Sequence, residues 1–303
     1  GRSVGCELFE VEDIEKARRR FEELRPNAAS VPENAACRLD VQLGQAAASK
    51  DWQALRALVA PDFVFEDRRK YARVKGDVEV LIKNLQFVLE LQFSHRSLDL
   101  AATVGERIAL TLIRYTAASD GGTLDGEFLR LTEVDAQARL RALIHFDCED
   151  RHAAFEEGLN RFAHGEAAGG AAVALIRKFG AAINGHRWDE LADFLADGLL
   201  VRDHRKLSFG EMPRDTFIES LRVLSDLGPD VGGEQLRVLA WNDHGSVFVL
   251  HQFGTARDGG SFESLFIPVL VVRGNHIVAY EIFDVADSAQ ALARFDALCA
   301  AWA

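Results

Sequence analysis

Asp51-Trp52-Gln53-Ala54-Leu55 and Arg187-Trp188-Asp189-Glu190-Leu191 are two versions of one helix start, 136 positions apart. The register holds on either side of them. Asp67-Arg68-Arg69-Lys70 meets Asp203-His204-Arg205-Lys206 at the same offset, and Ile82, Leu85 and Leu91 meet Ile218, Leu221 and Leu227. After a small insertion, Asp120-Gly121-Gly122 meets Asp258-Gly259-Gly260, and Phe128 meets Phe266. Phe146-Asp147 and Asp150 then meet Phe283-Asp284 and Asp287, now at an offset of 137. A register kept over a whole domain length marks an internal repeat. The chain has 303 residues, the length of two ordinary domains. The expected units are residues 34–163 and 168–303, with a Gly- and Ala-rich linker from Ala163 to Ala172.

A partial third copy precedes them. Glu7-Leu8-Phe9-Glu10, Asp13 and the ending Arg20-Phe21-Glu22-Glu23-Leu24 echo Glu281-Ile282-Phe283-Asp284, Asp287 and Arg294-Phe295-Asp296-Ala297-Leu298. Residues 1–33 are therefore expected to hold the last strand and helix of a preceding unit plus a linker, as if the chain were a piece of a longer protein.

Composition excludes several function classes. Apolar residues make up 48% and charged residues 27%, the balance of a globular protein rather than a disordered one. A net charge of −12 repels phosphate backbones, so no nucleic-acid partner is expected. The basic cluster Lys16 to Arg20 lies between acidic neighbours and reads as a solvated helix face. No apolar run approaches the ~18–20 residues that span a bilayer, so no membrane partner is expected. Cys6, Cys37, Cys148 and Cys299 form no CxxC pair, which suits reduced thiols and a cytoplasmic location. There is no P-loop, dinucleotide fingerprint or serine elbow, and no cofactor is expected.

Within one copy the periodicity gives helix, helix, short strand, helix, then three or four longer strands. Leu39, Leu43, Ala46 and Ala47 share a helical face, and Trp52, Leu55, Leu58 and Val59 form a second helix that Pro61-Asp62 stops. Phe63, Phe65 and Asp67 lie on one face of a short strand, and 78–91 is a long amphipathic helix. Strands follow at 108–115, 127–134 and 140–147, with turns at Asp120-Gly121-Gly122 and Asp135-Ala136-Gln137. Helices first and strands after is an α+β order.

That order, with a tryptophan after the first helix and a strand bearing Phe63-Val64-Phe65-Glu66-Asp67, resembles the SnoaL-like, nuclear transport factor 2-like superfamily. The resemblance implies two tandem cone-shaped α+β domains, each with about three N-terminal helices packed on a curved antiparallel sheet around an apolar pocket. Members of that superfamily include ketosteroid isomerases, cyclases, dehydratases and hydrolases beside non-catalytic binding domains. Phe65-Glu66-Asp67 resembles the isomerase segment carrying the general-base aspartate, which falls on Asp67 and Asp203. Such a base also needs donors aimed at a developing oxyanion. The tyrosine donor position holds Leu43 and Phe179, and the aspartic-acid position holds Arg130 and Pro268, so isomerase chemistry in its familiar form is not expected.

The candidate ligand-binding residues are Asp67, Arg130, Asp203, His204, His251, Gln252 and Glu281. Asp67 and Asp203 share strand parity with Phe65 and Val201 and are expected at the pocket mouth, unless they cap a turn or pair with a nearby arginine. Arg130 is placed to reach Asp67 across the sheet, while Arg69, Lys70, Arg205 and Lys206 read as loop cations. Glu281 interrupts the apolar face of Ile277, Ala279 and Phe283, so it needs a perturbed pKa or a buried partner, Gln252 or His251. Tyr280, on the opposite parity, reads as interface or surface. His251 is aligned with Ile113 and reads as a core histidine. His145, Cys148 and His152 have metal-like spacing, but the second copy holds Ile282, Val285 and Ala289 there, and no metal is expected.

These readings favour a non-catalytic small-molecule-binding or regulatory module. Its Arg-Phe-x-x-Leu helix ending is similar to the tails of multidomain actinobacterial signalling proteins. One alternative is an enzyme, an isomerase, cyclase or hydrolase, that uses Asp203 and Glu281 on a small hydrophobic substrate. The other is a scaffold that pairs through sheet faces, as an internal pseudo-dimer or a homodimer.

Overall fold

The computed structural model describes residues 33–302 apart from 91, 92, 120, 121, 209, 229 and 258. The expectations for 1–32, including Cys6 and the Lys16 to Arg20 cluster, and those for the tips Asp120-Gly121 and Asp258 lie outside the described residues.

The first half runs α1 (Ala35–Ala48), α2 (Trp52–Ala57), β1 (Val59–Asp67), β2 (Val74–Gly76) and α3 (Val78–Glu90). Four longer strands follow: β3 (Phe93–Val104), β4 (Ile108–Ser119), β5 (Gly122–Val134) and β6 (Leu140–Phe146). A 3-10 turn (Cys148–Asp150) then leads into α4 (Arg151–His164). The second half repeats the order: α5 (Ala171–Asn184), α6 (Trp188–Asp193), β7 (Leu200–Asp203), β8 (Glu211–Pro213) and α7 (Arg214–Ser225). Then come β9 (Gly232–Asn242), β10 (Gly245–Thr255), β11 (Ser261–Arg273) and β12 (His276–Asp284), and a 3-10 turn (Val285–Asp287) before α8 (Ser288–Trp302). The molecule is α+β with one large curved sheet.

Local chemistry explains the helix starts. Asn34 accepts from the Cys37 N–H and donates to the carbonyls of Gly105 and Ile108, so it caps α1 and ties it to the β3–β4 turn. Asp51 caps α2 by accepting from the Ala54 N–H. The β5–β6 turn requires a positive φ, which Ala138 adopts at 58° where Gly274 adopts 59° in the second half.

Among the described residues the twelve strands lie in one sheet, in the order β2-β1-β6-β5-β4-β3-β9-β10-β11-β12-β7-β8. This differs from the expectation in three ways. The sheet is not wholly antiparallel, because β1 with β6, β7 with β12, and β3 with β9 pair in parallel. The first strand begins at Val59 rather than after Pro61. Proline, lacking an N–H, sits there in the register shift between Val59 and Val64. The long strands β3 and β9 were not expected, and it is they that join the halves, at Thr103 and Arg237.

Both faces of each half-sheet are covered. In the first half α1–α3 cover one face, packing Leu39, Leu55 and Leu81 around Phe65 of β1. The other face takes α4 through Ala154, Phe155 and Phe162. That second core does not stop at the linker. Phe162 meets Trp241 of β9 edge-to-face at 5.5 Å, and Val173 of α5, Leu236 and Val238 join the cluster. In the second half α5–α7 cover one face and α8 the other.

A core shared across the halves makes their unfolding cooperative. Phe162→Ala is expected to cost about 3–5 kcal/mol and to shift one common transition in urea. Separate unfolding of the two halves, followed by their tryptophan signals and circular dichroism, would contradict this.

Candidate functional site

The repeated Asp-x-Arg-Lys and Phe-Asp pieces meet in space, in the same way, in both halves. Asp67 ends β1 beside His145 of β6. Its Oδ1 accepts from the Arg69 backbone N–H and Nε (3.2 and 2.9 Å), and its Oδ2 accepts from Arg69 Nη2 (2.6 Å). The next backbone N–H, of Lys70, donates to Asp147 (2.8 Å). In the second half Asp203 accepts from Arg205 N, Nε and Nη2 (3.1, 2.9 and 2.8 Å), and Lys206 N donates to Asp284 (3.0 Å). Each guanidinium then covers a phenylalanine of the neighbouring β-hairpin, Arg69 over Phe128 and Arg205 over Phe266. Arg69 and Arg205 are thus the partners of the two aspartates rather than loop cations.

Arg130 does not reach Asp67. Its Nη2 donates to Asp40 of α1 (2.6 Å), which also accepts from Thr132 Oγ1 (2.9 Å). Asp67 has His145 as its second contact, at 3.5 Å. The interior of the first half therefore carries two ion pairs, Asp40–Arg130 and Asp67–Arg69, with the His145 ring, its pKa lowered by burial, against Asp67. The matching second-half positions are Ile176 for Asp40, Pro268 for Arg130 and Ile282 for His145, and only the aspartate–arginine clamp is kept.

Where those polar groups are missing, the second half is hollow. A cavity of about 1000 Å³ lies between α5–α7 and the sheet. Phe179, Phe217, Phe248, Leu250, Phe266 and Tyr280 are among its lining. Its wall is completed from the other half, by His152, Phe155, Glu156 and Leu159 of α4. At this edge Glu234, almost fully buried, accepts both of its bonds from Arg151 Nε (3.0 and 2.8 Å). Burial pushes the Glu234 carboxyl pKa up, but His251 and Arg151 outweigh it and hold it below the ordinary range.

Of the seven expected ligand residues, Gln252 alone is in the lining. Asp203 lies behind Arg205, which does line it. His251 is half-buried outside the core, with Glu263 at 3.3 Å and Glu234 at 4.0 Å. The strand register pairs Leu250 with Phe266 as it pairs Ile113 with Phe128, so Leu250, not His251, is the counterpart of Ile113.

Glu281 and Tyr280 exchange their expected places. Glu281 points away from the cavity, to the face covered by α8. There Arg294 grips it through Nε and Nη2 (2.9 and 2.7 Å), and His204 Nε2 lies 2.9 Å away. Neither Gln252 nor His251 is its partner. Burial raises the Glu281 pKa, yet Arg294 and His204 hold it below the usual carboxylate range. Tyr280 is 5% exposed and faces the cavity, wedged edge-on against Phe217 (5.0 Å) and Phe179 (6.0 Å). The interior thus contains a tyrosine donor, supplied by the last strand rather than the first helix. The complementary charges Glu281 and Arg294 were the signal that could have assigned the two faces.

The chain matches no protein-family model and no curated protein. Solved structures with a similar fold include AusH from Aspergillus nidulans, at 11% identity and a TM-score of 0.33 over 37% of this chain and 82% of that one. A second is a Catenulispora acidiphila protein of ketosteroid isomerase-like fold, in complex with trimethylamine. It shows 17% identity and a TM-score of 0.31 over 36% of this chain and 82% of its own. A third is a computationally designed 17-OHP binder, at 16% identity and a TM-score of 0.32 over 39% of this chain and 95% of its own. Among the described residues no helix is long and apolar enough to cross a membrane.

The clamp makes a pH-dependent contribution to stability. Burial raises the Asp67 pKa, but its bonds to Arg69 and His145 outweigh that and leave it well below the ordinary carboxylate value. A lowered folded pKa stabilises above the unfolded value of about 3.9 and is lost as pH falls toward the folded one. Asp67→Asn should therefore cost about 3 kcal/mol at neutral pH, with the deficit shrinking below pH ~4. Urea unfolding across that range checks it, and a deficit independent of pH would count against an ionised clamp.

Proposed function

We propose that the chain is a non-catalytic module that binds a small, mainly apolar molecule in the cavity of its second half. On this reading residues 34–163 and 168–303 are two SnoaL-like domains, of which the second binds and the first has exchanged its cavity for ion pairs. The repeated element order and the clamp built in both halves support the pairing of the units. The observation that carries the binding reading is the cavity itself. At about 1000 Å³ it is at the upper end of sizes used for small-molecule sites, and its wall is mainly aromatic and aliphatic, with Arg177, Asn184, Arg205, Glu234 and Gln252 among the polar side chains that interrupt it.

Binding is favoured over turnover by the placement of the two carboxylates that an enzyme would use. Asp203 is closed by a bidentate arginine, and Glu281 faces α8 on the far side of the sheet. An acid–base pair must converge on one reacting atom. These two groups lie on opposite faces of the sheet.

Gly180 supplies the test. It lines the cavity from α5, and a Cβ added there meets nothing within 4 Å. N-phenylnaphthylamine, an uncharged fluorophore that brightens in apolar surroundings, is expected to bind the wild-type chain saturably. Gly180→Trp should occupy the space and weaken that binding at least ~10-fold, a change of about 1.4 kcal/mol, with no fall in thermal midpoint. No saturable signal with the wild type, or undiminished binding by the filled variant, would sink the proposal.

A further inference from the structure

Most of the charges that line the cavity already have partners. Arg205 is closed by Asp203, and Glu234 is held by Arg151. Asp215 and Glu219 of α7 are largely exposed, beside Arg214 and Arg222. The Asn184 amide is taken by the N–H and the carbonyl of Gly233.

Arg177 of α5 is the exception in that wall. Its Nη2 donates to Asn160 of α4 (2.6 Å), its Nε is buried without a hydrogen-bond partner, and its Nη1 donates to no described residue. Buried donors are normally satisfied, so a guanidinium left this open beside a cavity calls for an acceptor from outside the chain. Glu156 of α4 faces it but does not close it. The carboxylate stands 3.6 Å from Nη2, makes no hydrogen bond to it, and is about a third exposed. The group belongs to the meeting of α4 and α5 alone. The matching positions in the other half of the repeat hold Val41 for Arg177 and Ala293 for Glu156, so neither half carries it by itself.

We propose that Arg177 receives the carboxylate of an amphipathic ligand, a monocarboxylic acid whose apolar body fills the cavity and whose head docks where the two halves meet. The inference rests on the binding reading above and narrows its ligand class. A planar guanidinium matches the two oxygens of a carboxylate, and charge-assisted bonds of this kind are the strong ones. The head carries a single negative charge, because Arg151 and Arg205 are already neutralised and one guanidinium is left to meet it. The ligand carboxylate takes the place of Glu156, whose side chain reaches water.

Decanoate and decan-1-ol share a chain and differ in the head, so the pair tests this. Each is titrated against bound N-phenylnaphthylamine at neutral pH, where the acid is ionised. Arg177→Met keeps an unbranched apolar stem and removes the charge. It is expected to weaken displacement by decanoate at least ~10-fold, while decanol and the fluorophore bind as they do to the wild type. Glu156→Gln removes the competing charge and is expected to strengthen decanoate roughly two- to fivefold, again without effect on decanol. Decanoate that fails to displace the fluorophore from the wild type, or displaces it equally well from Arg177→Met, would overturn the carboxylate site and leave the cavity reading intact. Weaker decanoate binding by Glu156→Gln would overturn it too, as would equal weakening of acid and alcohol by Arg177→Met, since Arg177 would then only shape the wall. No binding of N-phenylnaphthylamine to the wild type would end both readings.

Discussion

The interaction on which this architecture rests is the bidentate grip of an arginine on an aspartate two residues before it, at the end of a strand paired in parallel. Parallel neighbours cannot be joined by a tight turn, so β1 must find β6, and β7 must find β12, across most of a domain. The clamp fixes that long-range pairing. The aspartate orients the arginine over the hydrogen-bonded hairpin beyond. The next backbone N–H then reaches the aspartate that follows the last strand, Asp147 or Asp284. Strand end, loop and chain exit are held by one set of charge-assisted bonds in each half.

This explains why the repeated aspartates are not the residues facing the cavity, since Asp203 lies behind Arg205, which does line it. Asp67 and Asp203, with Arg69 and Arg205, maintain a frame that tolerates different interiors. In the first half the frame encloses the ion pair Asp40–Arg130, whose buried charges are stable only because each has its partner, and the His145 ring, which burial holds below its ordinary pKa. In the second half Ile176, Pro268 and Ile282 stand at those positions, and Ile176 and Ile282 line the cavity. A cavity costs packing contacts along its lining, and an occupant that filled it would restore those contacts.

Much of this was legible before the fold was known. Helix positions followed from the spacing of Leu39, Leu43 and Ala46, and the α+β order followed from helices preceding strands. The aspartate–arginine pairing was legible only as an option, a nearby arginine for either aspartate, because Arg69 and Arg205 read as loop cations and Arg130 as the group facing Asp67. The faces of β12 were not legible, for a definite reason. Alternation separates Tyr280 from Glu281 but does not say which side meets which helices, and both sides are apolar because α5–α7 cover one and α8 the other. A carboxylate on an apolar face looked like a site, when its partner Arg294 lay thirteen residues on, in α8. The strands β3 and β9 escaped because their patterning is mixed. Leu98 is more than half exposed although it lies in the strand that joins the halves.

The junction gives the repeat its physical meaning. α4 closes the outer face of the first half-sheet, and the same helix supplies His152, Phe155, Glu156 and Leu159 to the cavity of the second. Arg151 at its start is held by Glu234, which itself lines that cavity, and Phe162 near its end packs on Trp241. An occupant of the cavity would therefore touch both halves at once. Its binding energy would favour the arrangement in which α4 is docked, because an undocked α4 removes part of the wall. The first half thus holds, against its outer face, the helix that completes the cavity wall of the second.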